Sequence, residues 1–258
     1  MSRFDVNSAP TPPDSTPPDS TPPGSRPSPS GSTPPPSDSS RPISLLLGLG
    51  AAAYTAWVVE VLVWTGLNPI NTYVSELAAA DQPLGGVFRA TDLAAGTLLF
   101  LGALWALLRT PRRPWLVTGW SGLVLFGAAT VADSRLPLSC APTVDPVCAA
   151  RETAGLVPAT HAAHAWSSSL AMVGALAGVV ALTVAARRYR QWTPLLRRGP
   201  LLAGLVLAAT AWTLTSVALF QAGRGTWALG AGQRLQVLLV AIWLAVLAYS
   251  VRREKLSP

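Results

Sequence analysis

The sequence is short of charge: 12% of its 258 residues are Asp, Glu, Lys or Arg, about half the share found in soluble domains. With hydrophobic residues at 50%, that scarcity excludes an ordinary water-soluble domain and points to a membrane protein. Lysine is almost missing, Lys255 being the only one, so the basic charge rests on arginines in short loops. The formal charge of +7 therefore reads as a topology signal. No basic face or nucleic-acid motif accompanies it, and no nucleic-acid partner is expected. Histidine and cysteine occur twice each, which excludes a three-histidine zinc site. No CxxC supports a redox role, and Ser75 lacks the GxSxG setting of a serine nucleophile. The preference for Arg over Lys, with abundant Ala, Pro and Gly, fits a GC-rich bacterial genome.

What is present divides near residue 42. Residues 1–42 are rich in Pro, Ser, Thr and Asp and repeat TPPDS, TPPDS, TPPGS over 11–25. Such a segment has too little apolar area to offset its ordering entropy, so a disordered cytoplasmic tail is expected. It has no apolar stretch of the kind that marks a signal peptide, and the sequence does not say which proteins its Pro-rich motifs would bind. Residues 43–251 read as an all-α, polytopic bundle of six transmembrane helices, followed by a short basic tail over 252–258. The apolar runs fall near 43–66, 82–108, 115–132, 158–186, 200–220 and 231–251. Each approaches the length of about 20 helical residues that a bilayer core requires, and none alternates as a barrel strand would.

Arginines cluster after the second, fourth and sixth runs, at Arg109, Arg112 and Arg113, at Arg187 to Arg198, and at Arg252 and Arg253. The positive-inside rule places those loops and both termini in the cytoplasm, so loops 1, 3 and 5 face outward across a bacterial plasma membrane. Small residues repeat at helical spacing, as at Gly174 and Gly178, a pattern that suits close helix packing within the chain or between two chains.

Ionisable residues gather toward the outward ends of the runs, and the inward halves hold essentially none. Charges in lipid are costly and are commonly paired or functional. The densest stretch is NPINTYVSELAAADQPLGGVFRATD, which carries Asn71, Ser75, Glu76, Arg89 and Asp92. Asn71 is expected to cap a short outer helix and Asp81 to cap the second membrane helix. Glu60 lies inside the first run, so it needs a proton, a partner or a catalytic role. His161 and His164 share one face of the fourth run. They serve either as acid/base groups with Glu76 and Asp133, as metal ligands with Asp133 or Glu76 as a third and water as a fourth, or as hydrogen-bonding partners of Asp133 and Ser167. Gln233 and Arg234 open the sixth run. Arg89 and Arg234 stand near helix N-termini against the dipole preference, which suggests either acidic partners or an anionic ligand. Cys140 and Cys148 lie in outer loop 3, where an oxidising compartment would join them as a disulfide.

The NPINTYVSELAAADQPLGGVFRATD stretch, Asp133 to Cys140 ahead of a helix that begins with His161, and GAGQRLQ opening the last helix together resemble the membrane-protein family called domain of unknown function 998. The resemblance spans residues 43–251 and implies the six-helix architecture and the motif positions; it supplies no reaction. The layout is also distantly similar to the Frag1/DRAM/Sfk1 group, some of whose members are implicated in lipid remodelling. The polar residues are similar in kind to those of alkaline ceramidase-like hydrolases, which hold zinc with Ser, Asp and three His. This chain departs from them in lacking a third histidine and a seventh helix.

The leading expectation is an outer-face site for a membrane lipid or other amphiphile. Asn71, Ser75, Arg89, Asp92, Gln233 and Arg234 would bind it, and Glu76, Asp133, His161 and His164 would be available for acid/base work. The competing reading makes the same residues a structural network in a membrane scaffold or sensor. A transporter ranks third, because the inward halves lack polar lining. The sequence names no cofactor and leaves open whether the site is catalytic.

Overall fold

A computed structural model describes residues 40–254; the segments 1–39 and 255–258 lie outside the described residues, and with them almost all of the expected tail. The helices are α1 (Ser40–Tyr54), α2 (Gly85–Arg109), α3 (Pro114–Arg135), α4 (Pro146–Thr153), α5 (Ala159–Arg188), α6 (Thr193–Gln221) and α7 (Leu229–Arg253), with 3-10 turns at Ala56–Val61 and Val74–Ala78. Six helical segments are long and apolar enough to cross a membrane, the first being α1 together with its 3-10 extension, Ser40–Val61. The protein is thus a multi-pass membrane protein built entirely of helices among the described residues.

The six long helices form a ring in which α1 touches α2, α2 touches α3, α3 touches α5, α5 touches α6, α6 touches α7, and α7 closes back on α1. Its most extensive seam, between α3 and α5, follows from glycine. A Cβ on Gly122 would stand 2.7 Å from the Gly178 nitrogen, and one on Gly174 would stand 2.6 Å from the Phe126 nitrogen. The small-residue pattern of α5 is thereby used within the chain, where it lets two backbones meet. A core of Trp120, Trp243, Phe126, Leu123 and Leu182 fills the interior.

Four boundaries differ from the sequence expectation, each for a local reason. The first run is not one α-helix: the Thr55 hydroxyl donates to the Ala52 carbonyl at 2.7 Å, and the chain tightens into the 3-10 turn that carries Glu60. Helix α6 starts seven residues before Pro200, because Glu254 accepts the N–H groups of Trp192 and Thr193 and so caps its first turn. Helix α4 stands in what reads as an irregular loop; Asp145 caps it by accepting from the Val147 N–H at 2.9 Å, and Pro146 fits its first turn. Asp81 does not cap α2, whose flanking residue is Leu84; its carboxylate instead accepts from the Gln82 amide at 3.3 Å.

Candidate functional site

Loops 1, 3 and 5, with residues 62–84, 136–158 and 222–228, meet at one end of the ring, here called the polar end. Loop 1 is the part that joins the others. Its Asn71 does not cap the short 3-10 turn; its carbonyl accepts from the Thr226 hydroxyl of loop 5 at 2.8 Å. The Ile70 carbonyl accepts from the Ala231 N–H of α7 at 3.0 Å, and the Ala80 N–H donates to Leu138 of loop 3 at 2.8 Å. Glu76 is fully buried and fastens the same turn, accepting from the Tyr73 N–H at 3.1 Å, the Thr143 N–H at 2.8 Å and the Thr143 hydroxyl. Burial pushes the Glu76 carboxyl above its ordinary range, although the Thr143 and Tyr73 donors and the Arg234 charge oppose that rise. Burial, with the charges of Glu152 and Glu76, also raises the Tyr73 phenol.

The two arginines are engaged by the protein. Arg234 forms a two-pronged pair with Glu60, Nε to Oε1 at 2.6 Å and Nη2 to Oε2 at 2.7 Å, and its third nitrogen donates to the Thr72 carbonyl at 2.8 Å. Both partners are buried, at 7% and 8% exposure. The 3-10 turn is what brings Glu60 to that arginine. Arg89 reaches the carbonyls of Ala78 and Ala79 at 2.7 and 3.3 Å and ties α2 to the end of loop 1.

A second cluster joins α3 and α5. Asp133 accepts from the hydroxyls of Ser167 and Ser168, the latter at 2.8 Å, and stands 3.1 Å from His164 Nδ1. The same nitrogen lies 2.9 Å from the Leu136 carbonyl, which only a protonated Nδ1 can satisfy, and Nε2 lies 3.3 Å from the Ser168 hydroxyl. His161 turns elsewhere. Its Nδ1 accepts from the Ser139 N–H at 3.1 Å, and its Nε2 points toward Glu152 at 3.9 Å. Thus His161, His164 and Asp133 do not converge, and no group of three His, Cys, Asp or Glu among the described residues is placed to hold a metal ion. Cys140 and Cys148 form a disulfide that ties loop 3 to the first turn of α4.

Between these clusters lies a cavity of about 160 Å³, lined by α1, its 3-10 extension, loop 1, α2, α3, α5 and α7. Of the expected ligand-binding residues, Ser75, Asp92 and Gln233 line it; Asn71, Arg89 and Arg234 do not. Asp133 reaches it from the acid/base set, with Ser168 beside it, whereas Glu76, His161 and His164 stand behind the wall. Further along α5 and α7 the lining is apolar at Ala171, Met172, Ala175, Val237 and Val240, with the amide of Gln236 among them. The aromatic side of the wall, Tyr54, Trp57, Phe88 and Phe126, is visible only once the helices are assembled, because those residues read as ordinary membrane-helix side chains in the sequence.

The model of the family described as "Protein of unknown function (DUF998)" matches residues 47–250. The chain belongs to the DUF998 family. The matched segment covers both polar clusters and every residue that lines the cavity, so the site lies within the DUF998 region. No curated protein and no solved structure matches the chain. These comparisons do not extend to the looser likeness to the Frag1/DRAM/Sfk1 group.

Proposed function

We propose that this DUF998 protein binds a membrane lipid or other amphiphile in the cavity at its polar end, with the head group between Ser75, Asp92, Asp133 and Gln233. The observation that carries the reading is the mixed lining of the cavity: the carboxylates, hydroxyl and amides of Asp92, Asp133, Ser75, Gln233 and Gln236 share one space with Met172, Val237 and Val240. From Gln233 to Val240 the lining extends about 10 Å along α7, at 1.5 Å per residue. A head group with the first part of an acyl chain needs both kinds of surface. The arginine distribution supports an outward polar end and a cytoplasmic membrane, and the disulfide is in keeping with an oxidising face. His164, Asp133 and Ser168 form a proton-holding unit against the cavity, and they are the groups that would serve acid/base chemistry on a bound head group.

The scaffold reading keeps a specific share of the residues. The Glu60–Arg234 pair and the Glu76 latch are saturated by protein partners, so they belong to the structure that holds the cavity. Native mass spectrometry of the detergent-purified protein tests the proposal. A retained amphiphile on the wild type that is lost in Ala171→Leu, a substitution that adds volume to the cavity wall, is the expected result. Equal lipid adducts on both, or none on a folded wild type, would move the weight to the scaffold.

A further inference from the structure

The alternative of an anionic ligand rested on Arg89 and Arg234, and neither lines the cavity. What does line it is of the opposite kind. Two carboxylates, Asp92 and Asp133, face the space, and no Lys, Arg or His side chain among the described residues does. Asp133 has protein partners, His164 at 3.1 Å and two serine hydroxyls. Asp92 has no hydrogen bond or ion pair among the described residues, although it stands inside a membrane helix two turns from the start of α2. An unpaired carboxylate at such a position calls for a proton or a cation. Four aromatic rings share the wall, Tyr54, Trp57, Phe88 and Phe126, with Tyr54 and Phe126 packed edge to face at 5.2 Å. Aromatic faces beside a carboxylate are the surroundings in which an ammonium group is held, because the ring quadrupole and the anion both attract positive charge. Trp57 adds a buried indole N–H with no hydrogen-bond partner among the described residues, an open donor for an acceptor on the same ligand.

Resting on the proposed amphiphile site, we infer that the cavity selects a cationic head group: a primary or quaternary ammonium on an apolar chain, with Asp92 as its counter-ion. The volume of about 160 Å³ is several times what a single water needs. With Asp133 held by protein donors, Asp92 is the carboxylate of the lining that has no hydrogen-bond or ion-pair partner among the described residues. An anionic head group in the same space would meet Asp92 with no cation to offset it.

The test uses the full chain in a neutral maltoside detergent and three probes of equal chain length: decyltrimethylammonium, decyl sulfonate and a neutral decyl glycol. Binding is read by tryptophan fluorescence and by the thermal unfolding midpoint. The expected result is that the ammonium probe binds at least tenfold tighter than either other probe, that Asp92→Asn removes that preference, and that Asp92→Glu retains it. The ranking of probes on the wild type stands without any variant, so a misfolded Asp92→Asn does not blunt the test. Equal binding of all three probes, or a preference for the sulfonate, would overturn the cationic inference and leave the amphiphile site standing. Binding of none of them to the folded protein would overturn both.

Discussion

At the residue scale, the decisive contact is Glu60 with Arg234. A buried pair of this kind is weak grounds for net stability, because desolvation offsets its attraction, yet removing one partner strands the other charge. Arg234→Met is therefore expected to cost about 3–5 kcal/mol, and the double variant Glu60→Leu/Arg234→Met to recover most of that loss, as read from thermal unfolding of the purified protein. Two other carboxylates should respond to pH with opposite signs. Burial raises Glu76 in the folded state, so the folded protein holds its proton more tightly than the unfolded chain does; its contribution is complete below the unfolded pKa and fades as pH rises through the folded one. Burial also acts to raise Glu254, but the bonds from Thr193 and Trp192 outweigh it and the net shift is downward; its contribution is complete above the unfolded pKa and is lost as pH falls through the folded one. Melting curves across pH should then show Glu76→Gln flattening the loss of stability above the ordinary glutamate range, and Glu254→Gln lowering the midpoint at neutral pH with the difference closing in acid. Parallel pH profiles for the two variants would contradict this assignment.

At the scale of elements, the α3–α5 seam is set by backbone proximity. Gly122→Leu places side-chain atoms where the Gly178 backbone stands, so the helices must part, whereas Gly204 on α6 has nothing within 4 Å of a new Cβ. Gly122→Leu is expected to abolish or strongly destabilise the fold, and Gly204→Ala to leave it unchanged or raise stability by up to about 1 kcal/mol through helix propensity. Monodispersity and melting temperature distinguish the two outcomes. The membrane runs were legible because apolar length is a local property, and the arrangement of Gly174 and Gly178 pointed to close packing. Helix ends were less so. The early start of α6 depends on Glu254, far away in sequence, and the 3-10 turn at Ala56–Val61 interrupts a run whose composition gives no sign of a break. Asp145-Pro146 was a readable start signal for α4. The site residues divide in the same way: Ser75, Asp92, Asp133 and Gln233 reach the cavity, while Arg89 and Arg234 are turned to carbonyls and Glu60. Which face of a polar helix end meets a cavity depends on how the ring closes, and the spacing of charges along one chain does not encode it.

At the scale of the whole molecule, orientation and occupancy are linked, since the cavity lies near the polar end and the side that end faces decides which molecules it meets. Single cysteines at exposed Leu156 in loop 3 and at Arg112 between α2 and α3, in a background that retains the Cys140–Cys148 disulfide, test the orientation in intact cells. The positive-inside distribution predicts labelling of Leu156→Cys by a membrane-impermeant maleimide and protection of Arg112→Cys; the reverse pattern would place the polar end in the cytoplasm. The measurement that bears most directly on the account is a crystal structure grown in a lipid phase with an amphiphile whose chain ends in bromine. The account predicts an anomalous peak inside the ring, against Met172, Val237 and Val240, with the head group near Asp92. Peaks confined to the outer, lipid-facing surface of the helices, with the cavity closed by its own side chains, would contradict it.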